Sequence, residues 1–215
     1  MFVVRCLGLK AGVHLLQRFS VGLILWLAVC CSAIADTAPF SPVPPPIEVS
    51  ALIEAPIKDV WNAWTTSAGL PTFMGLQAEI DAKPRGVFRV TFELDKETPL
   101  DRGNDGIVVA VEPLSMLSVT WMTPMNMPTL RGNSTNLAIY FESMDEGRRT
   151  RVRIVNTGYG VGPDWAAAYQ YNVRGWARVL TALDYRFKTG PINWEWAIKE
   201  LKKTGAWPWA RKPPQ

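Results

Sequence analysis

The chain has 215 residues, with 23 Lys and Arg against 19 Asp and Glu, one histidine and a formal charge of +4. Much of the basic surplus sits in the first 35 residues, which hold Arg5, Lys10 and Arg18 and no acid, so the remaining 180 carry 20 bases against 19 acids. A near-neutral stretch of that length suffices for one domain with a sizeable core, and it argues against a nucleic-acid binder, which needs a basic surplus on the fold itself.

Residues 1–35 read as a secretory signal peptide. The basic leader is followed by an apolar run from Val21 to Cys31 and by Ala33-Ile34-Ala35, the small-x-small pattern of a cleavage site, which predicts cleavage after Ala35 and a periplasmic or secreted protein. The run is shorter than the roughly twenty apolar residues of a bilayer span, so no integral span is expected in the mature form. Leu27-Ala28-Val29-Cys30 matches a lipid-attachment box only in part, since Val29 stands where a small residue belongs. Cys6, Cys30, Cys31 and His14 all leave with the leader. A chain without Cys or His builds no Ser-His-Asp or Cys-His site, no thiol pair, no disulfide and none of the usual zinc sites, so neither a metal nor a cofactor is expected.

Residues 36–46 form a proline-rich linker, with Pro39, Pro42, Pro44, Pro45 and Pro46 favouring an extended spacer. Ile47 to Ile53 alternates as a half-buried strand, and Pro56 opens a helix through Val60, Trp61 and Trp64. A shorter helical turn follows over Thr66 to Phe73. From Val87 to Leu94 the alternation places Phe88, Val90, Phe92 and Leu94 on one face and Arg89, Thr91 and Glu93 on the other. Ile107 to Val111, Leu117 to Trp121, and Leu137, Ile139 and Phe141 repeat the pattern, and Asp145-Glu146-Gly147 turns the chain into Thr150 to Asn156. These connections are too short for crossover helices and predict an antiparallel meander. From Pro163 to about Lys188, Trp165, Tyr169, Asn172, Trp176, Val179, Leu180, Leu183 and Phe187 recur at helical spacing. Gly175 interrupts that helix at about 1 kcal/mol relative to Ala, which suggests a close approach or a bend. The fold class is therefore α+β, a curved antiparallel sheet with two short helices after the first strand and a long helix across it.

Ile53-Glu54-Ala55-Pro56 with Val60-Trp61, Asp105-Gly106-Ile107-Val108 leading into Val111-Glu112-Pro113, Leu117 to Trp121, Gly158-Tyr159-Gly160 and Arg174-Gly175-Trp176 together carry a resemblance. Over residues 47–188 the chain resembles the heat-shock protein 90 ATPase activator-like members of the START-related SRPBCC superfamily. The resemblance implies a helix-grip fold, whose sheet wraps the long helix and leaves a tunnel for a hydrophobic ligand. The chaperone-activating role of the family's namesake is not carried over, because an exported chain would not meet a cytosolic partner.

The candidate cavity lining is Phe88, Val90, Phe92, Trp121, Leu137, Ile139, Phe141, Trp165, Tyr169, Asn172 and Trp176. Each apolar member taken singly also suits ordinary core. The indoles, Tyr169 and Asn172 are polar handles on apolar elements, as in a pocket that orients a hydrophobic guest. Gly158-Tyr159-Gly160-Val161-Gly162 is only superficially like a dinucleotide loop, since Pro163 occupies the place of the third glycine. Glu93, Asp95 and Glu97 read as a soluble edge.

Residues 189–215 form a Trp-rich, basic tail. Asn193 caps a short helix with Trp194, Ala197, Ile198 and Leu201 in one stripe, and Trp207, Trp209, Arg211 and Lys212 follow. Docking onto the domain, as a lid, is favoured over contact with a membrane surface. The expected function is an exported binding or carrier protein enclosing a lipid-like or aromatic small molecule, with no catalytic residue assigned. The alternatives are an enzyme using the same cavity for acid-base chemistry through Asp164, Tyr169 or Arg153, and an interaction module with a closed core.

Overall fold

Strict alternation gives most strands one apolar face, and burying that face decides the architecture. The computed structural model describes residues 43–92, 104–124 and 127–210. All of them belong to Phe40–Gln215, one of the two units into which the chain divides. The leader, most of the linker, Glu93, Leu94, Asp95, Glu97, Arg211 and Lys212 lie outside the described residues.

Seven strands form one antiparallel sheet: β1 (Ile47–Ile53), β2 (Gln77–Ile80), β3 (Val87–Thr91), β4 (Asn104–Glu112), β5 (Met116–Met122), β6 (Ser134–Met144) and β7 (Arg149–Thr157). Their order is β1-β7-β6-β5-β4-β3-β2, so the meander is continuous and the first strand returns beside the last. Register brings the apolar faces into rows. Leu117 faces Ile139, Ile139 faces Ile154 and Ile154 faces Val49; the next row is Val119, Leu137, Asn156 and Ile47. Burying a side chain such as Leu117, Ile139 or Ile154 contributes about 1.5–3 kcal/mol. The opposite face carries cross-strand charge pairs, among them Arg151 with Glu142 at 2.7 Å and Arg89 with Asp105 at 3.0 Å. Exposed pairs of this kind are worth at most about 1 kcal/mol each, and they keep that face wet.

The helices cover the apolar face. α1 (Ile57–Thr65) buries Val60, Ala63 and Trp64. Pro56 stands at its N-cap with ψ 148, one position before the first helical turn where the sequence places it. The fixed φ of proline suits this site as well, and its missing N–H is not called on there. The expected second turn is a short 3-10 segment, Leu70–Thr72. α2 (Pro163–Thr189) lies against the sheet through Ala168, Asn172, Trp176, Leu180 and Leu183. α3 (Trp194–Thr204) is capped by Asn193, whose Oδ1 accepts from the Trp196 N–H at 3.0 Å, and it stops at Gly205 in the left-handed conformation. Among the described residues no helix is long and apolar enough to cross a membrane.

Two details depart from the sequence pattern. The third strand ends at Thr91, so Phe92 lies beyond it, and β2, a four-residue edge strand, is paired to β3. Outside its own stretch of helix, Gly175 has no atom of the described residues within 4 Å of where a Cβ would stand, so no close approach among them explains it.

Candidate functional site

The sheet-facing side of α2 carries the predicted polar handles other than Trp121, which is on β5, and the fold satisfies two of them internally. Asn156 on β7, fully buried, is the hub: its Oδ1 accepts from Trp176 Nε1 at 2.9 Å and from the Tyr159 hydroxyl. Its Nδ2 donates to Thr135 Oγ1 at 2.9 Å and to the Asn136 carbonyl at 2.8 Å. Asn172 Nδ2 donates to the Tyr159 oxygen at 2.8 Å, so helix, strand and the glycine-flanked loop are tied by one network. Burial pushes the Tyr159 phenol up from its ordinary value, against the opposing hydrogen bond from Asn172, which keeps it a neutral donor to Asn156. Gly160 makes room for this arrangement: a Cβ there would stand 2.5 Å from Trp165 Nε1. The Tyr159 ring meets Trp165 and Tyr169 edge-on, at 6.2 and 5.1 Å between centroids. Gly158-Tyr159-Gly160 is thus a packing device in an antiparallel fold.

Phe88, Val90, Leu137, Ile139 and Phe141 all point inward from the sheet into the packed core. Trp121 packs edge-on against Trp176 at 4.8 Å, and Trp165 and Tyr169 are partly buried against the same core. Of the eleven predicted lining residues, Phe92 alone borders the cleft described next. The structure therefore gathers the set on one side of the long helix and places an open volume on another.

That volume is a cleft of about 280 Å³. One wall is a second stripe of α2 formed by Tyr171, Gly175, Arg178, Val179 and Ala182, roughly 120° round the helix from the Trp176 face. The floor is Phe73 to Leu76 with Phe92, and the far wall is Trp194, Ile198, Trp207 and Trp209. Docking of the tail holds this wall in place: Trp194 Nε1 donates to the Pro71 carbonyl at 2.6 Å, and the Ile192 N–H to the Thr72 carbonyl at 2.9 Å. Trp207 and Trp209 stack at 5.0 Å, and both meet Trp194 edge-on. The tail is therefore docked on the domain, the favoured of its two predicted placements.

The lining of the cleft is mainly aromatic and apolar, with few polar side chains. Arg178 and Tyr171 are its ionisable side chains among the described residues, and no carboxylate lines it. Arg178 donates from Nε to the Arg174 carbonyl at 3.2 Å. The Trp209 indole N–H is buried without a hydrogen-bond partner among the described residues. No group of three or more His, Cys, Asp or Glu among those residues could hold a metal ion. Asp164, weighed as a catalytic acid, accepts from the exposed Thr129 hydroxyl at 2.6 Å, and Arg153 lies over the Tyr140 ring on the outer face, 3.7 Å from Glu48. Neither borders the cleft. Sequence reasoning missed Tyr171, Arg178 and Ala182, although with Gly175 and Val179 they repeat at intervals of three and four, a signal for a second helix face.

Comparison with known proteins follows the fold. The family model described as Activator of Hsp90 ATPase homolog 1-like protein matches residues 54–188. Protein MLL2253 from Mesorhizobium loti is similar in structure, with a TM-score of 0.55 and 20% identity, over 69% of this chain and 100% of that one. The Aha1 dimer from Colwellia psychrerythraea gives a TM-score of 0.52 and 18% identity, over 68% and 98%. CalU16 from Micromonospora echinospora gives 0.50 and 17%, over 75% and 85%. No curated protein matches the chain.

Proposed function

This chain belongs to the Activator of Hsp90 ATPase homolog 1-like family over residues 54–188, and from that premise we propose that it is an exported binding protein. Its guest is a small, mainly aromatic or apolar molecule held in the cleft between the long helix and the C-terminal tail. The observation that carries the reading is the cleft itself. A dry apolar cavity of about 150 Å³ accepts benzene, so the 280 Å³ here matches a guest of about two rings. Pockets of this type are mostly apolar, with a few polar groups that fix orientation, and Arg178 and Tyr171 suit that part.

Binding is favoured over catalysis because, among the described residues, the ionisable groups bordering the cleft, Arg178 and Tyr171, form no acid-base pair. Export rests on the leader alone. If the reading holds, N-terminal sequencing of protein recovered outside the cytoplasm begins at Asp36, and a start at Met1 overturns the export part. Mass spectrometry of organic extracts from gently purified native protein tests carriage. A stoichiometric apolar compound supports it, and reproducibly empty protein removes it.

A further inference from the structure

Gly175 is the position least explained by the protein's own needs. It sits within a 27-residue helix, has no positive φ to accommodate, and a Cβ there would meet no atom of the described residues within 4 Å outside its own stretch of helix. Neither backbone conformation nor packing requires glycine there, yet the residue borders the cleft, where a missing side chain leaves the helix backbone open to a guest. One turn further on stands Arg178, a cation with no carboxylate within ion-pair distance among the described residues. The cleft is also lined by the stacked pair of Trp207 and Trp209, which present flat aromatic surfaces.

We propose that the cleft selects flat aromatic anions, with the ring lying against the bare backbone at Gly175 and the carboxylate held by Arg178. The proposal rests on the binding reading above and narrows its ligand class. Planarity follows from a glycine wall facing indoles, which gives stacking surfaces and little depth. Negative charge follows from a lining that, among the described residues, offers the Arg178 guanidinium and the Tyr171 hydroxyl and no acid, the pattern suited to an acceptor group.

The test uses the mature chain and three probes of similar size: 2-naphthoate, naphthalene and 2-naphthylmethylammonium, followed by tryptophan fluorescence and calorimetry. Naphthoate should bind about tenfold more tightly than naphthalene, and the ammonium more weakly still. Gly175→Ala should raise Tm by about 2–4 °C while weakening naphthoate, because a better helix former then occupies the guest's space. Gly175→Leu should abolish binding with Tm unchanged or raised, and Arg178→Gln should bring naphthoate to the affinity of naphthalene. Equal affinity for the three probes, or wild-type affinity in Gly175→Leu, overturns the proposal. If native extracts still yield an apolar compound in that case, carriage stands and only the ligand class fails. Empty extracts together with no probe binding remove both.

Discussion

Replacing Asn156 by Ala separates two roles for the polar groups beneath the long helix. If they are structural, the substitution withdraws the acceptor of Trp176 Nε1 and of the Tyr159 hydroxyl, and the donor to Thr135 Oγ1 and the Asn136 carbonyl. Trp176 is 2% exposed and Asn156 fully buried, so water does not readily replace what is lost. Each buried donor left without a partner costs about 1–3 kcal/mol, which puts the two orphaned donors and the small void together at roughly 3–5 kcal/mol. Against a typical stability of about 5–15 kcal/mol this is a large fraction. Urea denaturation should show the midpoint falling by about 2 M at unchanged slope. Because the Tyr159 hydroxyl joins Asn156 to Asn172, the double variant with Tyr159→Phe should lose less than the sum of the singles, with coupling above about 0.5 kcal/mol. Asn156 does not border the cleft, so ligand affinity of the folded fraction should be retained. A loss below about 1 kcal/mol, accompanied by abolished ligand binding, would refute the structural role and restore these groups as handles for a guest.

Gly160→Ala should cost about 1–3 kcal/mol by thermal or urea unfolding, since its methyl must displace the Trp165 indole, and a neutral result would contradict the packing described. The raised phenol of Tyr159 predicts an alkaline dependence: its contribution is fully present below the unfolded value of 10.0 and is lost as pH rises above that towards the higher folded value. Unfolding followed between pH 8 and 11 should therefore show stability falling from about pH 10, with a shallower fall in Tyr159→Phe; equal slopes would remove the assignment. Ending the chain at Gly190 should leave the strand signal in circular dichroism and abolish binding to the cleft, because Trp194, Ile198, Trp207 and Trp209 are removed. Unchanged binding would place the guest elsewhere.

The sheet was legible where alternation was long and its inner residues were bulky. Phe88 and Val90, or Leu137, Ile139 and Phe141, allow a single register, because a slip by one would turn them into water. β2 was not legible: Gln77-Ala78-Glu79-Ile80 has only two apolar residues, and the segment is a strand because β3 supplies partners and Arg89 reaches Glu79. The candidate site was half legible for a related reason. Helical spacing correctly put Trp165, Tyr169, Asn172 and Trp176 on one face, but spacing carries no information about partners. Trp176 finds its acceptor twenty residues earlier, on a strand whose Asn156 reads in sequence as only its last alternating position.

The division of the long helix into two faces explains why a cleft persists beside a closed core. On the sheet side, buried aliphatic and aromatic side chains and the Asn156 hydrogen-bond network join helix to sheet. On the other side the cover comes from residues 194–209, beyond the 54–188 shared with the family, and it is built chiefly of indoles. Gly205 ends α3 in a left-handed turn and sends the chain back, so that Trp207 and Trp209 return onto Trp194. Large rigid rings locked to one another and to the Pro71 carbonyl do not flow into an irregular gap as Leu or Met would. Packing energy is thus gained among the tryptophans themselves, and the described residues leave the space between them and the bare backbone at Gly175 unfilled. The family fold supplies the floor of that space and the wall that carries Tyr171 and Arg178, and the tail supplies the aromatic wall that closes it.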